Sequence, residues 1–204
     1  MKNQKVLNIS RPLAALLAVV GLCAPLTVQA ATDSSTTTVN ANLGSTISLS
    51  TSGTVTINVT PTASGSMSSA SDTVSVSTNN TSGYALTLAD ADATNTLVNG
   101  ANSIAADGGN QASPSGDLTN NSWGYRVDGV GGFGAGPTSS ESNVATSSYS
   151  WAGVPVSGSA NTLKTTATTA SGDTTSVWYG VKADTSKANG TYSGTVTYTV
   201  TSNP

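Results

Sequence analysis

Residues 189–204 read Asn-Gly-Thr-Tyr-Ser-Gly-Thr-Val-Thr-Tyr-Thr-Val-Thr-Ser-Asn-Pro. Tyr192, Val196, Tyr198 and Val200 share one parity, with Gly194 between them, and Thr191, Ser193, Thr195, Thr197 and Thr199 share the other. A period of two is the pattern of a strand whose one face packs on a core and whose other face meets water. Asn189-Gly190 in front of it is the dipeptide that turns a hairpin most readily. Because this alternation recurs along the chain, it restricts the fold to stacked sheets.

The first thirty residues obey a different logic. Lys2, Lys5 and Arg11 form a basic start, and residues 12–26 are apolar but too short and too early for a comfortable membrane span. Val28-Gln29-Ala30 fits the small-x-small rule for signal peptidase, which predicts a signal peptide over residues 1–30 and a secreted domain over residues 31–204. Cys23 follows Leu22, where a lipoprotein would carry a small residue, so lipid anchoring is not expected.

What remains after cleavage excludes much chemistry. The single cysteine lies in the leader and the chain has no histidine, so disulfides, thiolate catalysis, imidazole base catalysis and His-bound zinc all fall away. Three of the seven basic residues lie in the leader, leaving Arg126, Lys164, Lys182 and Lys187 against ten acidic residues. That balance argues against nucleic acid and against anionic lipid as partners. The abundant Ser and Thr could describe a disordered stalk, but the alternating apolar residues favour strands.

Along the chain, Val39, Ala41 and Leu43 suggest a weak first strand, and Ile47 and Leu49 a second. Val55, Ile57 and Val59 mark a clear strand ending at Pro61, and residues 62–71 read as a Ser/Gly-rich loop. Residues 73–89, with a polar turn at 79–83, read as a hairpin. Residues 90–121 are rich in turns, with short edge segments at Leu97, Val98, Ile104 and Ala105. A strand resumes at Trp123, Tyr125 and Val127, a Gly-rich loop covers 129–142, and a bulged strand is expected over 149–156. Residues 161–169 are ambiguous. Residues 175–183 place Val177, Tyr179, Val181 and Ala183 on one face, and the short link to the final strand predicts antiparallel neighbours. No stretch has helical spacing. The expectation is an all-β, single immunoglobulin-like or Greek-key sandwich of about eight to ten strands.

Few residues could carry chemistry. Asp90, Asp92 and Asn95 space oxygen ligands as a calcium loop does, without the downstream Glu and the turn Gly, and no other metal or cofactor is implied. The glycines of 129–136 resemble a phosphate-cradling loop but precede no helix. The acids are scattered rather than paired. A Lys–Asp or Lys–Asn isopeptide crosslink is conceivable in an exported sandwich, though four solvated basic residues are the simpler reading. Parity sends Trp178 outward beside Lys182. Either Trp178 is a stacking platform for a sugar or partner, or a loop such as 129–136 covers it.

The last strand carries a family resemblance. Tyr192-x-x-x-Val196-Thr-Tyr198-Thr-Val200 resembles the distal motif of the WxL family, Tyr-x-x-x-Leu-Thr-Trp-Thr-Leu, and Gly83-Tyr84-Ala85-Leu86-Thr87-Leu88 is similar to its proximal Trp-x-Leu motif. Tyr stands where that family has Trp in both motifs, and Val replaces Leu twice. The resemblance implies a β-rich bacterial surface module attached non-covalently to peptidoglycan, with work in adhesion or surface complexes. Tyr84, Leu86, Tyr192, Val196, Tyr198 and Val200 would then be motif residues that pack the core.

Three functions are therefore expected in order. The first is a non-enzymatic, secreted cell-surface module binding wall polymer or a surface protein. The second is a fibre subunit assembled by strand exchange, with residues 36–43 as donor strand and Val39, Ala41 and Leu43 filling a neighbour's groove. The third is a glycan-binding module with Trp178 as its platform.

Overall fold

The computed structural model describes residues 31–204, and the expected leader lies outside them. Two units divide the chain at residue 42. In the first, residues 31–42 have no regular secondary structure and expose their side chains.

The second unit holds nine strands and, among the described residues, no helix. They are β1 (Ile47–Ser50), β2 (Ser66–Thr78), β3 (Tyr84–Asp90), β4 (Thr96–Asn99), β5 (Asn102–Ala106), β6 (Ser122–Arg126), β7 (Asn161–Thr165), β8 (Ala170–Ala183) and β9 (Val196–Ser202). A six-stranded sheet runs β1-β2-β8-β6-β5-β4, and a three-stranded sheet runs β7-β3-β9. All pairings are antiparallel except β5 with β6. The fold is all-β. The main core lies between the sheets: Val74 and Val76 of β2, Trp123 and Tyr125 of β6, and Val177, Tyr179 and Val181 of β8 meet Tyr84, Leu86 and Leu88 of β3 and Leu163 of β7.

The strands largely form where the alternation predicts them, but their neighbours differ. Residues 73–89 are not a hairpin, because β2 and β3 belong to different sheets. The turn between them is an arch. Gly83 takes φ 79°, its N–H donates to the Asn80 carbonyl at 3.0 Å, and each flanking strand faces the same core from an opposite side. Likewise β8 and β9 are not ladder neighbours. They face each other across the core, where the Tyr179 and Tyr198 hydroxyls meet at 2.6 Å.

Part of the expected 62–71 loop is strand. Ser66–Ala70 pair with residues 179–183 of β8 and are buried on both faces apart from the partly exposed Ala70, so small side chains there serve close packing. The bulged strand expected at 149–156 shrinks to isolated bridges at Trp151 and Ala152. The ambiguous 161–169 stretch contributes β7, which buries Leu163. Residues 39–43 form no strand. Residues 54–60 keep the expected alternation, with Val55, Ile57 and Val59 half-buried against the core, yet they join no ladder.

Candidate functional site

The outward face of β8 presents Trp178, Gly180 and Lys182 in alternation, as parity predicts, but the face is covered. Met67, Leu118 and Trp151 form a second buried cluster, and Val144, Tyr149 and Trp178 pack on it. Gly180 makes room for this layer: a Cβ there would lie 2.6 Å from Met67 Cε and 3.1 Å from both Leu118 Cδ1 and Trp151 Cζ3. Trp151 is fully buried and donates from Nε1 to Ser147 Oγ at 2.8 Å.

Trp178 is therefore a half-buried packing residue, not a free stacking platform. Lys182 corrects the expectation further. It is only 8% exposed, and its Nζ bonds to Asp117. Nor is Arg126 solvated: it is 2% exposed, donates to the Phe133 carbonyl at 2.9 Å, pairs with Asp128 Oδ1 at 2.8 Å and lies 4.9 Å over the Tyr149 ring. Lys164 pairs with Asp173 at 2.6 Å. Of the four basic residues read as solvated, three are committed to internal ion pairs.

One residue that sequence reasoning missed holds this cover in place. Asp107, 6% exposed, accepts from the Gly109 amide at 3.0 Å and Ser115 Oγ at 2.5 Å on Oδ2, and from the Thr119 amide at 3.2 Å and Thr119 Oγ1 at 3.1 Å on Oδ1. Burial pushes its pKa up, but the donors from Ser115, Gly109 and Thr119 outweigh burial and hold it below the usual carboxylate value. A lone Asp in a turn-rich stretch gives no sign of such a hub.

The calcium candidates do not converge. Asp90 is buried, with Oδ1 accepting from the Asp92 amide at 3.0 Å, and burial raises its pKa. Asp92 turns its Oδ1 to the amide and hydroxyl of Thr94. Asn95 donates from its side-chain amide to the Val154 carbonyl at 2.7 Å. Among the described residues no three His, Cys, Asp or Glu side chains gather.

The motif residues divide between core and edge. Tyr84 and Leu86 are fully buried. The Tyr84 hydroxyl donates to Asp173 Oδ2 at 2.8 Å, and burial first, then Asp173, pushes its pKa up. By contrast Tyr192, Val196, Tyr198 and Val200 are only half-buried. The Tyr192 hydroxyl donates to the Ala188 carbonyl at 2.9 Å. Burial and then the neighbouring Tyr179 raise the pKa of the Tyr198 hydroxyl.

That half-burial marks an open edge. β9 ends its sheet. Its ladder to β3 continues at both ends, through Ala91 N–H to the Thr195 carbonyl at 2.9 Å and Asn203 N–H to the Gly83 carbonyl at 3.0 Å. Alternation in an antiparallel ladder then assigns the odd-numbered residues to β3 and turns the N–H and C=O groups of Val196, Tyr198, Val200 and Ser202 away from it. Among the described residues no other backbone pairs with them, and residues 54–59 also have unpaired backbone groups.

Val55, Ile57 and Val59 of one unpaired stretch and Val196, Tyr198 and Val200 of the other are each half-buried against the same core. Neither residues 54–60 nor residues 196–202 contain a charge or a proline, the usual guards of a free edge. Two other edges are guarded, β7 by Lys164 and β4 by the bridge from Val98 to Ser193, whereas the four-residue edge strand β1 is also uncharged. The uncharged run could have signalled this edge in the sequence, but nothing there tells an edge strand from a central one.

Compared with known proteins, the chain matches no family model, no curated protein and no solved structure.

Proposed function

We propose that the protein is a non-enzymatic module of the cell exterior that takes up an extended peptide strand along the open edge of its smaller sheet. The observation that carries this reading is the row of outward backbone groups at Val196, Tyr198, Val200 and Ser202, on a strand whose Val196, Tyr198 and Val200 side chains are only half-buried. An incoming strand gains main-chain hydrogen bonds from the edge and buries alternate side chains against these three, which is β-augmentation. The apolar half of such a strand adds roughly 25 cal/mol for each Å² it removes from water.

Thr197 and Thr199 of the edge strand also border a concavity with Thr87, Asp90 and Ser157. Val196, Tyr198 and Val200 of the WxL-like distal motif lie in β9, so the resemblance and the edge share these residues. Export through the expected leader would place this edge outside the cell.

Titration with a peptide of alternating threonine and valine, followed by amide chemical shifts, tests the reading. Shifts should concentrate at residues 196–202 and 54–60. Shifts confined to the Trp178 face, or no saturable shift at all, would refute it.

A further inference from the structure

We infer that the strand taken up is residues 36–43 of a second copy of this chain, so that copies join arm to edge in a linear assembly. The inference rests on the edge being a strand acceptor, and it adds the identity of the donor.

The donor must be extended, uncharged and apolar at every second position. Residues 36–43, Thr-Thr-Thr-Val-Asn-Ala-Asn-Leu, are uncharged, apolar at every second position and held in no other secondary structure, and the whole run from 34 to 71 is free of charge. Val39, Ala41 and Leu43 repeat at the i, i+2, i+4 spacing of the half-buried Val196, Tyr198 and Val200 along the edge. Thr38, Asn40 and Asn42 would continue the exposed Thr197, Thr199 and Thr201 row on the outer face.

The apolar side chains of this arm are left in water. Val39 is 87% exposed and Leu43 is 84% exposed, the two largest exposures among large apolar residues of the described chain. Isolated exposed apolar residues are ordinary, but here they alternate on a segment that joins no strand, while Val196, Tyr198 and Val200 on the open edge are only half-covered.

A second copy is favoured over the same chain by how the arm is attached. The Gly44 carbonyl accepts from Asn79 Nδ2 at 2.8 Å, the Thr46 amide donates to Asn79 Oδ1 at 2.7 Å, and the Thr46 carbonyl accepts from Thr78 Oγ1 at 2.8 Å. Beyond this anchored root residues 39–43 join no ladder and Val39 and Leu43 stay exposed, so the arm of a single copy does not cover its own edge. Because arm and edge are different surfaces of one chain, the contact is heterologous and leaves each added copy with a free arm or edge for the next.

Two variants separate donor from acceptor in the processed chain, residues 31–204. Val39→Asp with Leu43→Asp disables the arm at exposed positions and leaves the sandwich intact. Val200→Pro removes an N–H that points off the free edge, so the ladder to β3 is kept while the edge is blocked. In analytical ultracentrifugation the unaltered chain should grow with concentration, and each variant alone should remain monomeric. A mixture of the two should stop at a one-to-one complex of about twice the monomer mass.

A peptide of residues 36–45 in large excess should arrest growth of the unaltered chain, and this readout does not depend on the folding of Val200→Pro. An unaltered chain that stays monomeric at high concentration, or an arm variant that still assembles, overturns the inference. If the peptide nonetheless binds the edge, strand uptake stands and only the donor's identity falls. If no extended peptide binds, both readings fall together.

Discussion

Replacing Asp107 with Ala removes the hub that pins residues 109–119 over the outer face of the large sheet. The loss can be worked from its partners. The amides of Gly109 and Thr119, at 3.0 and 3.2 Å, lose their only acceptor. The hydroxyls of Ser115 and Thr119 lose theirs but can rotate. Ser122 Oγ, 3.3 Å from the carboxylate, keeps its shorter bond to the Thr119 carbonyl at 2.8 Å. Gly109 is half-buried and Thr119 exposed, so water can partly replace the lost acceptor, and a loss of roughly 2 kcal/mol is expected. For a domain of this size that corresponds to a fall in Tm of roughly 6 °C.

The sign with pH follows from the depressed pKa of Asp107. Its stabilisation is present above the unfolded value of about 3.9 and is lost as pH falls through the lower folded value. Urea unfolding followed by tryptophan fluorescence should therefore show a large gap between the unaltered chain and Asp107→Ala at neutral pH, shrinking in acid. A gap under about 1 kcal/mol at neutral pH, or one that does not shrink, would refute the hub.

Other residues yield equally direct tests. Trp151→Ala empties the centre of the second cluster and should cost about 3–5 kcal/mol in urea unfolding. Gly180→Ala drives a methyl against Met67, Leu118 and Trp151 and should cost about 1–3 kcal/mol, most of it recovered when Met67 is shortened in the same chain. Gly83→Ala requires φ 79° of an L-residue and presses on the Thr166 backbone, so Tm should fall even though the site is a turn. In tyrosinate absorbance titration Tyr84, Tyr179 and Tyr198 should stay protonated well beyond the ordinary range, and Tyr125, pushed up to about 12 by burial, should titrate late. Their contribution is complete below the unfolded value near about 10 and is lost as pH climbs through the folded values, so alkaline unfolding should begin there.

Much of this fold is legible in alternation alone. Val177, Tyr179 and Val181 face the core as their parity requires, and Trp178 points to the opposite face. What alternation does not encode is the partner of each strand. Two amphipathic strands joined by a short turn can lie side by side or face each other across a core, and β2 with β3 and β8 with β9 take the second course. Burial on both faces is also hard to read. Ser66, Ser68 and Ser69 look like a loop because polar, small residues are common there, yet they are buried, and the Ser69 and Ser68 hydroxyls accept from the Glu141 and Asn143 amides.

The candidate site was harder to find for the same reason. Trp178 and Lys182 stand out in the sequence as an outward aromatic beside a cation, and both pack against residues distant in sequence. The edge of β9 is a property of what does not pair, and single-sequence patterns carry no sign of that. The arm's spacing was legible, and the half-buried edge residues that match it appear only once β9 is seen to end its sheet.

Residue-resolved hydrogen exchange on β9 bears most directly on the open edge. In the monomer at low concentration the amides of Tyr198 and Val200 should exchange freely while those of Thr197 and Thr199, bonded to β3, are protected. With the 36–45 peptide, or on assembly, Tyr198 and Val200 should become protected as well. Slow exchange at Tyr198 and Val200 in the monomer would mean the edge is already paired, and strand uptake would be contradicted.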